Sequence, residues 1–175
     1  MKINYILEQL RDDQGVQAWL EHHPQAKLVH VFFMVQGNNY SEYHVGYYDE
    51  QTQKMTTFIV NGTSISIKEE GDLLKKDDSP LLPLDEKTLT STVEEALDAA
   101  KKVQEKDYAK EIPLKIMVIL QNLPDVGQVY NITYVTQSMK TLNIKVDAAT
   151  AQVLSAQLIS LFSTMGKPLD GLERK

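Results

Sequence analysis

The chain contains no cysteine. That excludes disulfides, thiolate nucleophiles and zinc–cysteine sites together, while leaving the compartment open. Concentrated positive charge is missing too. No run of Lys and Arg exceeds two residues, and 18 basic side chains face 24 acidic ones, for a net charge of −6. Polyphosphate backbones bind through clustered cations, so nucleic acid is not an expected partner. No apolar stretch approaches the length that spans a bilayer, so no membrane span is expected. The opening "MKINYILEQLRDDQG" carries only scattered apolar positions before Arg11, Asp12 and Asp13. It lacks the unbroken apolar run and small-residue cleavage site of a signal peptide. A cytoplasmic protein is the expectation; a secreted one whose leader had been replaced by Met1 would read the same. Gly-rich phosphate loops, nucleophile elbows and histidine–acid zinc patterns are also missing. No catalytic residue, metal or cofactor is therefore expected.

What is present is ordinary globular material: 175 residues, 42% hydrophobic and 24% charged, enough for one domain or two small ones sharing a core. Ile3, Ile6, Leu7 and Leu10 follow helical spacing, and Val16, Trp19 and Leu20 repeat it after Gly15. Two short helices, or one broken near Asp13–Gly15, should end before Pro24. "KLVHVFFMVQ" (27–36) reads as a buried strand. "EYHVGYY" (42–48) alternates, with Tyr43, Val45 and Tyr47 on one face. "MTTFIV" (55–60), an Asn61-Gly62 turn and "SISIKE" (64–69) complete a first set of strands.

A linker without periodicity follows, "EGDLLKKDDSPLLPL" (70–84). Leu89, Val93, Ala96, Leu97, Ala100 and Val103 then form one helical stripe, with Asp85 as a plausible N-cap. Strands are expected at 112–121, 128–136 and 140–148. The order helix, strand, strand, strand, tight turn thus occurs twice. Tyr43-x-Val45-x-Tyr47 matches Tyr130-x-Ile132-x-Tyr134, and Met55-Thr-Thr-Phe58 matches Met139-Lys-Thr-Leu142. Residues 148–165 pull two ways. Leu154, Leu158, Leu161, Phe162 and Met165 fit a helix, with Gly166 and Pro168 beyond, whereas the repeat requires a strand over 152–158.

"VDAATAQVLS" resembles the closing hairpin of PepSY-like domains, which occur in protease propeptides and in peptidase-regulating membrane and secreted proteins. The family's hairpin runs Asp-Ala-x-Thr-Gly into a returning strand that opens on Val. Asp147, Ala148, Thr150 and Val153 fit it, and Ala151 stands where glycine is usual. The resemblance covers residues 86–160, and 13–70 only through the repeat. With it, the strand reading of 152–158 is preferred. It implies an α+β fold of two helix-plus-antiparallel-sheet (cystatin-like, PepSY-like) units in tandem. The first half with the N-terminal helices would occupy 1–70, a linker 71–84, the second half 85–165 and a tail 166–175.

Individual residues suggest little chemistry. His22 and His23 point about 100° apart on a helix and suit its carbonyl end better than a metal. His30 and His44 lie on strands and could share a sheet face near Tyr40 or Tyr48. A general base needs an orienting partner, and none is expected: Glu42 shares the parity of His44 but lies at the strand entrance, so both histidines read as structural or surface residues. Asp147 and Thr150 supply too few oxygens for calcium; Asp147 suits an Asx turn. Glu94, Asp98, Lys101 and Lys102 suit exposed helix pairing. Tyr43, Tyr47, Tyr130 and Tyr134 should face a covering helix, and Tyr40 and Tyr48 solvent. The resemblance implies a non-enzymatic binding or regulatory module that contacts a peptidase or another protein, by strand addition at a sheet edge. A small-molecule-binding protein or enzyme using the concave sheet face is the alternative, with His30, Tyr40, His44 and Tyr48 as its ligand or partner surface. A homodimer through the same edges is a third possibility.

Overall fold

A computed structural model describes residues 3–35, 37, 42–70 and 80–161. Helix α1 (Ile3–Asp12) buries Ile3, Ile6, Leu7 and Leu10. It stops at Asp13, whose carboxylate accepts from the Val16 amide and so caps α2 (Gln14–His22). At the far end, His22 Nδ1 and His23 Nδ1 donate to the carbonyls of Ala18 and Trp19 at 2.7 and 2.8 Å. The adjacent imidazoles thus close the helix end.

The strands are β1 (Ala26–Val35), β2 (Glu42–Asp49), β3 (Lys54–Asn61), β4 (Ser64–Glu70), β5 (Pro113–Leu123), β6 (Gly127–Thr136), β7 (Lys140–Asp147) and β8 (Val153–Ser160). All eight join one antiparallel sheet, ordered β4-β3-β2-β1-β5-β6-β7-β8. This corrects the expectation of two helix-plus-sheet units in tandem. The first strand of each half, β1 and β5, pair with one another, from His30 opposite Gln121 to Val35 opposite Ile116. A strand with both neighbours present is buried on both faces, which suits the near-continuous apolar runs "VFFMV" and "IMVIL". Neither half keeps a free inner edge, so no boundary divides the sheet.

One face of that sheet carries the three described α-helices. Helix α3 (Val93–Asp107) begins at Thr92, whose hydroxyl accepts from the Glu95 amide while Glu95 accepts from the Thr92 amide. This capping box is the start signal. Asp85 caps a short 3₁₀ turn (Glu86–Thr88) instead of α3. A single buried cluster joins α1 and α2 to Tyr43, Val45, Tyr47 and Phe58, and α3 to Tyr130, Ile132, Tyr134 and Ile144. The four tyrosines expected to face a covering helix do so. Burial pushes the hydroxyls of Tyr47, Tyr130 and Tyr134 up to about 12, so they stay protonated.

Residues 148–161 resolve the conflict between periodicity and repeat in favour of a strand, since β8 pairs with β7 from Val153 to Ser160. Between them Asp147 Oδ1 accepts from the amides of Ala149 and Thr150, at 2.9 and 2.7 Å, and from the Thr150 hydroxyl. These bonds hold the Asp147 carboxyl below its usual range, overcoming the opposing effect of partial burial. Ala151 then takes φ +56°, a region costing a non-glycine residue about 1–2 kcal/mol. Ala151→Gly should relieve that strain and lose part of the gain to a freer unfolded chain, about 0.4–1 kcal/mol. A net stabilisation of up to ~1 kcal/mol in urea denaturation is expected; a destabilised variant would contradict the assignment. The tail 166–175 and most of the linker (71–79) lie outside the described residues.

Candidate functional site

Among the described residues, the second face of the sheet has no helix. A bulge between Leu28 and His30 in the β1–β2 ladder turns two successive residues, Val29 and His30, to this side. The end of the linker, Pro80–Leu84, straps across it. The Leu84 amide donates to the Leu28 carbonyl at 2.8 Å, Leu82 bridges Asn122, and Asn122 Nδ2 donates to the Pro83 carbonyl. Leu81 packs on Val29, Tyr48 and Met55.

Beside the strap lies a cleft of about 750 Å³, lined by His30, Phe32 and His44 from the first half and by Ile119, Gln121 and Lys145 from the second. Leu81, Leu82 and the β5–β6 turn at Pro124–Val126 form its walls. This size, with mostly apolar walls and a few polar groups, is that of an ordinary ligand pocket. A second groove of about 740 Å³ runs between α3 and the sheet, past Leu97, Ile116 and Tyr134, under a rim that includes Glu94, Asp98 and Glu105.

The candidate residues fall out unevenly. His30 and His44 do share a face, on the side away from the helices and not between helix and sheet. His30 lies flat on Gly46 of the neighbouring strand: a Cβ there would sit 2.1 Å from the ring's Cε1. His44 stands edge-on to Phe32, ring centres 5.6 Å apart. Its Nε2 meets Glu42 Oε1 at 2.7 Å, so Glu42 is the orienting carboxylate even from the strand entrance. Tyr48 faces the same side but is buried, 7% exposed, because Leu81 covers it; the expected solvent exposure is corrected. Tyr40 lies outside the described residues. Phe32, Ile119, Gln121 and Lys145 went unnoticed in the sequence. Gly46, in the middle of an alternating strand, is the one signal that marked the spot, since a strand glycine often admits a close neighbour.

A separate polar knot closes the far end of the second half. Lys140 Nζ donates to Glu111 Oε1 at 2.7 Å, and the hydroxyls of Ser138 and Thr136 donate to Glu111 Oε2. The knot ties the loop after α3 to the β6–β7 turn. The Lys140 bond, then the Ser138 bond, holds the Glu111 carboxyl below the usual carboxylate range. A depressed acid contributes its stability above the ordinary carboxylate pKa and loses it as pH falls through the folded value. Glu111→Gln should therefore flatten the acid limb of a stability–pH curve. An acid limb as steep as the wild type's would contradict this role.

No family model and no curated protein matches the chain. Among solved structures it is similar to the crystal structure of a "putative lipoprotein" from Clostridium difficile 630. The TM-score is 0.52 at 20% sequence identity, over 82% of this chain and 90% of that one. At this identity the likeness is one of fold. The PepSY-like resemblance rests on the Asp147–Val153 residues that suggested it. No described helix is long and apolar enough to cross a membrane.

Proposed function

We propose that the protein is a binding module that holds its ligand in the cleft on the helix-free face. One observation carries the reading. Side chains of five strands, drawn from both halves, converge beside a strap on the sheet face that no described helix covers. The helices leave this face open, and the strap adds the apolar wall that a flat sheet lacks. Two imidazoles, His30 and His44, line the cleft, the latter bonded to Glu42, and can orient a polar group. A thermal-shift screen of metabolites tests the proposal. A ligand at a hundred times its dissociation constant should add about 2.7 kcal/mol to stability, a rise of roughly 5 °C or more for a chain of this length. A midpoint unmoved by every compound would count against it.

A second reading follows from the sheet's edges. Ile67 on β4 and Leu154 and Ile159 on β8 are exposed on the outermost described strands, whose outer edges pair with no other described strand, and such an edge invites strand addition. The PepSY-like resemblance supports a peptidase or other protein as that partner. Co-purification from the native host checks it, and reproducible enrichment of no protein would remove its support. The similar structure is that of a "putative lipoprotein", and that likeness supports a location outside the cytoplasm as part of this reading.

A further inference from the structure

Resting on the cleft as the ligand site, we infer that its ligand is a single-chain amphiphile with an anionic head, seated with the head at Lys145. Lys145 is half-buried on the helix-free face and lines the cleft. The lysines Lys27, Lys101, Lys102 and Lys140 each lie within 4 Å of a carboxylate. Lys145 has no carboxylate within that distance among the described residues; Lys54, Lys87, Lys106, Lys110 and Lys115 have none either, but they are exposed, whereas Lys145 is half-buried in the cleft. In a chain of net charge −6, an ammonium held against a sheet with no described carboxylate beside it is a site of charge complementarity for an anion. The Asn131 side chain opposite it accepts from Asn143 at 2.5 Å, which leaves the lysine as the strong donor there.

The apolar half of the site follows from the register. Lys145 opposes Asn131, Asn131 opposes Ile119, Ile119 opposes Phe32, and Phe32 opposes His44, in one row across five strands. From Lys145 to Phe32 the row crosses three inter-strand gaps, about 14 Å at ~4.8 Å each. A ligand headed at Lys145 therefore lays its chain over Ile119 and Phe32, beside Leu81 and Leu82. Among the described lining residues the one carboxylate is Asp125, on the exposed β5–β6 turn.

Isothermal titration with four ten-carbon probes tests this inference: decanoate, decyl phosphate, decanol and decylammonium. Decanoate and decyl phosphate should bind, decanol about ten-fold or more weakly, the worth of one partly desolvated charge-assisted bond, and decylammonium not at all. Preference between the two anions separates a fatty-acid head from a phosphate head. Lys145→Met keeps the apolar stem and should bring decanoate down to the decanol value while leaving decanol unchanged. Equal affinity for decanoate and decanol, or a Lys145→Met protein that binds decanoate as well as the wild type, would overturn the anionic class. If no probe binds while the metabolite screen finds a ligand whose binding Phe32→Ser abolishes, the amphiphile is wrong and the cleft stands. If neither experiment finds a ligand, both readings fall.

Discussion

Phe33→Ala should lower the melting of the entire molecule in a single transition. Phe33 is fully buried at the joint between the halves, opposite Tyr43 on β2 and Val118 on β5. Its ring centre is 5.2 Å from that of Tyr43. Removing a buried phenylalanine costs about 3–5 kcal/mol through lost transfer energy and the cavity left behind. At about 2–4 °C per kcal/mol for a chain of this length, the midpoint should fall by roughly 6–20 °C. The shape of the transition is more informative than its size. With one core and one sheet, residues 93–160 must melt with residues 3–70. Circular dichroism and the fluorescence of Trp19, in the first half, should report the same midpoint. A variant whose second half melts at the wild-type temperature would mean that the halves are separate units.

Gly46→Val should be the most disruptive change on the helix-free face. The new Cβ would lie 2.1 Å from His30 Cε1 and 2.6 Å from both ring nitrogens, so the imidazole must leave its place. A ring can swing aside, whereas backbone cannot, so the cost should sit within the about 1–3 kcal/mol typical of overpacking. The displaced ring enters the cleft and should weaken any ligand held there. In a His30→Ala background the clash is gone, and valine in a strand interior is then neutral or favourable. A double-mutant cycle by urea denaturation reads this coupling. The same loss with and without His30 would show that the ring does not rest on Gly46.

The strands were legible because alternation over seven or more residues is a local signal. β2 was expected at 42–48 and runs Glu42–Asp49; β7 was expected at 140–148 and runs Lys140–Asp147. The pairing of β1 with β5 was not legible. His30 and Gln121 are opposed in the sheet but far apart in sequence, and no local pattern encodes which edge meets which. The apolar runs of both strands pointed to central positions, and two tandem units left them no shared sheet to be central in. The start of α3 slipped for another reason. Asp85 and Thr92 are both good N-caps, and the glutamate three residues after Thr92 was the discriminating signal.

The site was half legible. Strand parity put His44 and Tyr48 on one face of β2, and it is the pairing of β1 with β2 that brings His30 to the same side. Parity says nothing of what lies above that face, so the cover of Leu81 over Tyr48 came from a linker with no periodicity to read. Lys145 looked like any outward lysine of an alternating strand. Its distinction is that it is half-buried in the cleft with no carboxylate beside it among the described residues, which only the assembled sheet reveals.

The account depends most on the joint between β1 and β5, since without it no row runs from Lys145 to His44 and no cleft collects residues from both halves. Cross-strand nuclear Overhauser contacts measure it directly, between Val31 and Leu120, Phe32 and Ile119, and Phe33 and Val118, the opposed pairs of that ladder. The account predicts all three, together with slow amide exchange along both strands. Their absence, alongside intact contacts within residues 42–70 and 127–160, would contradict it.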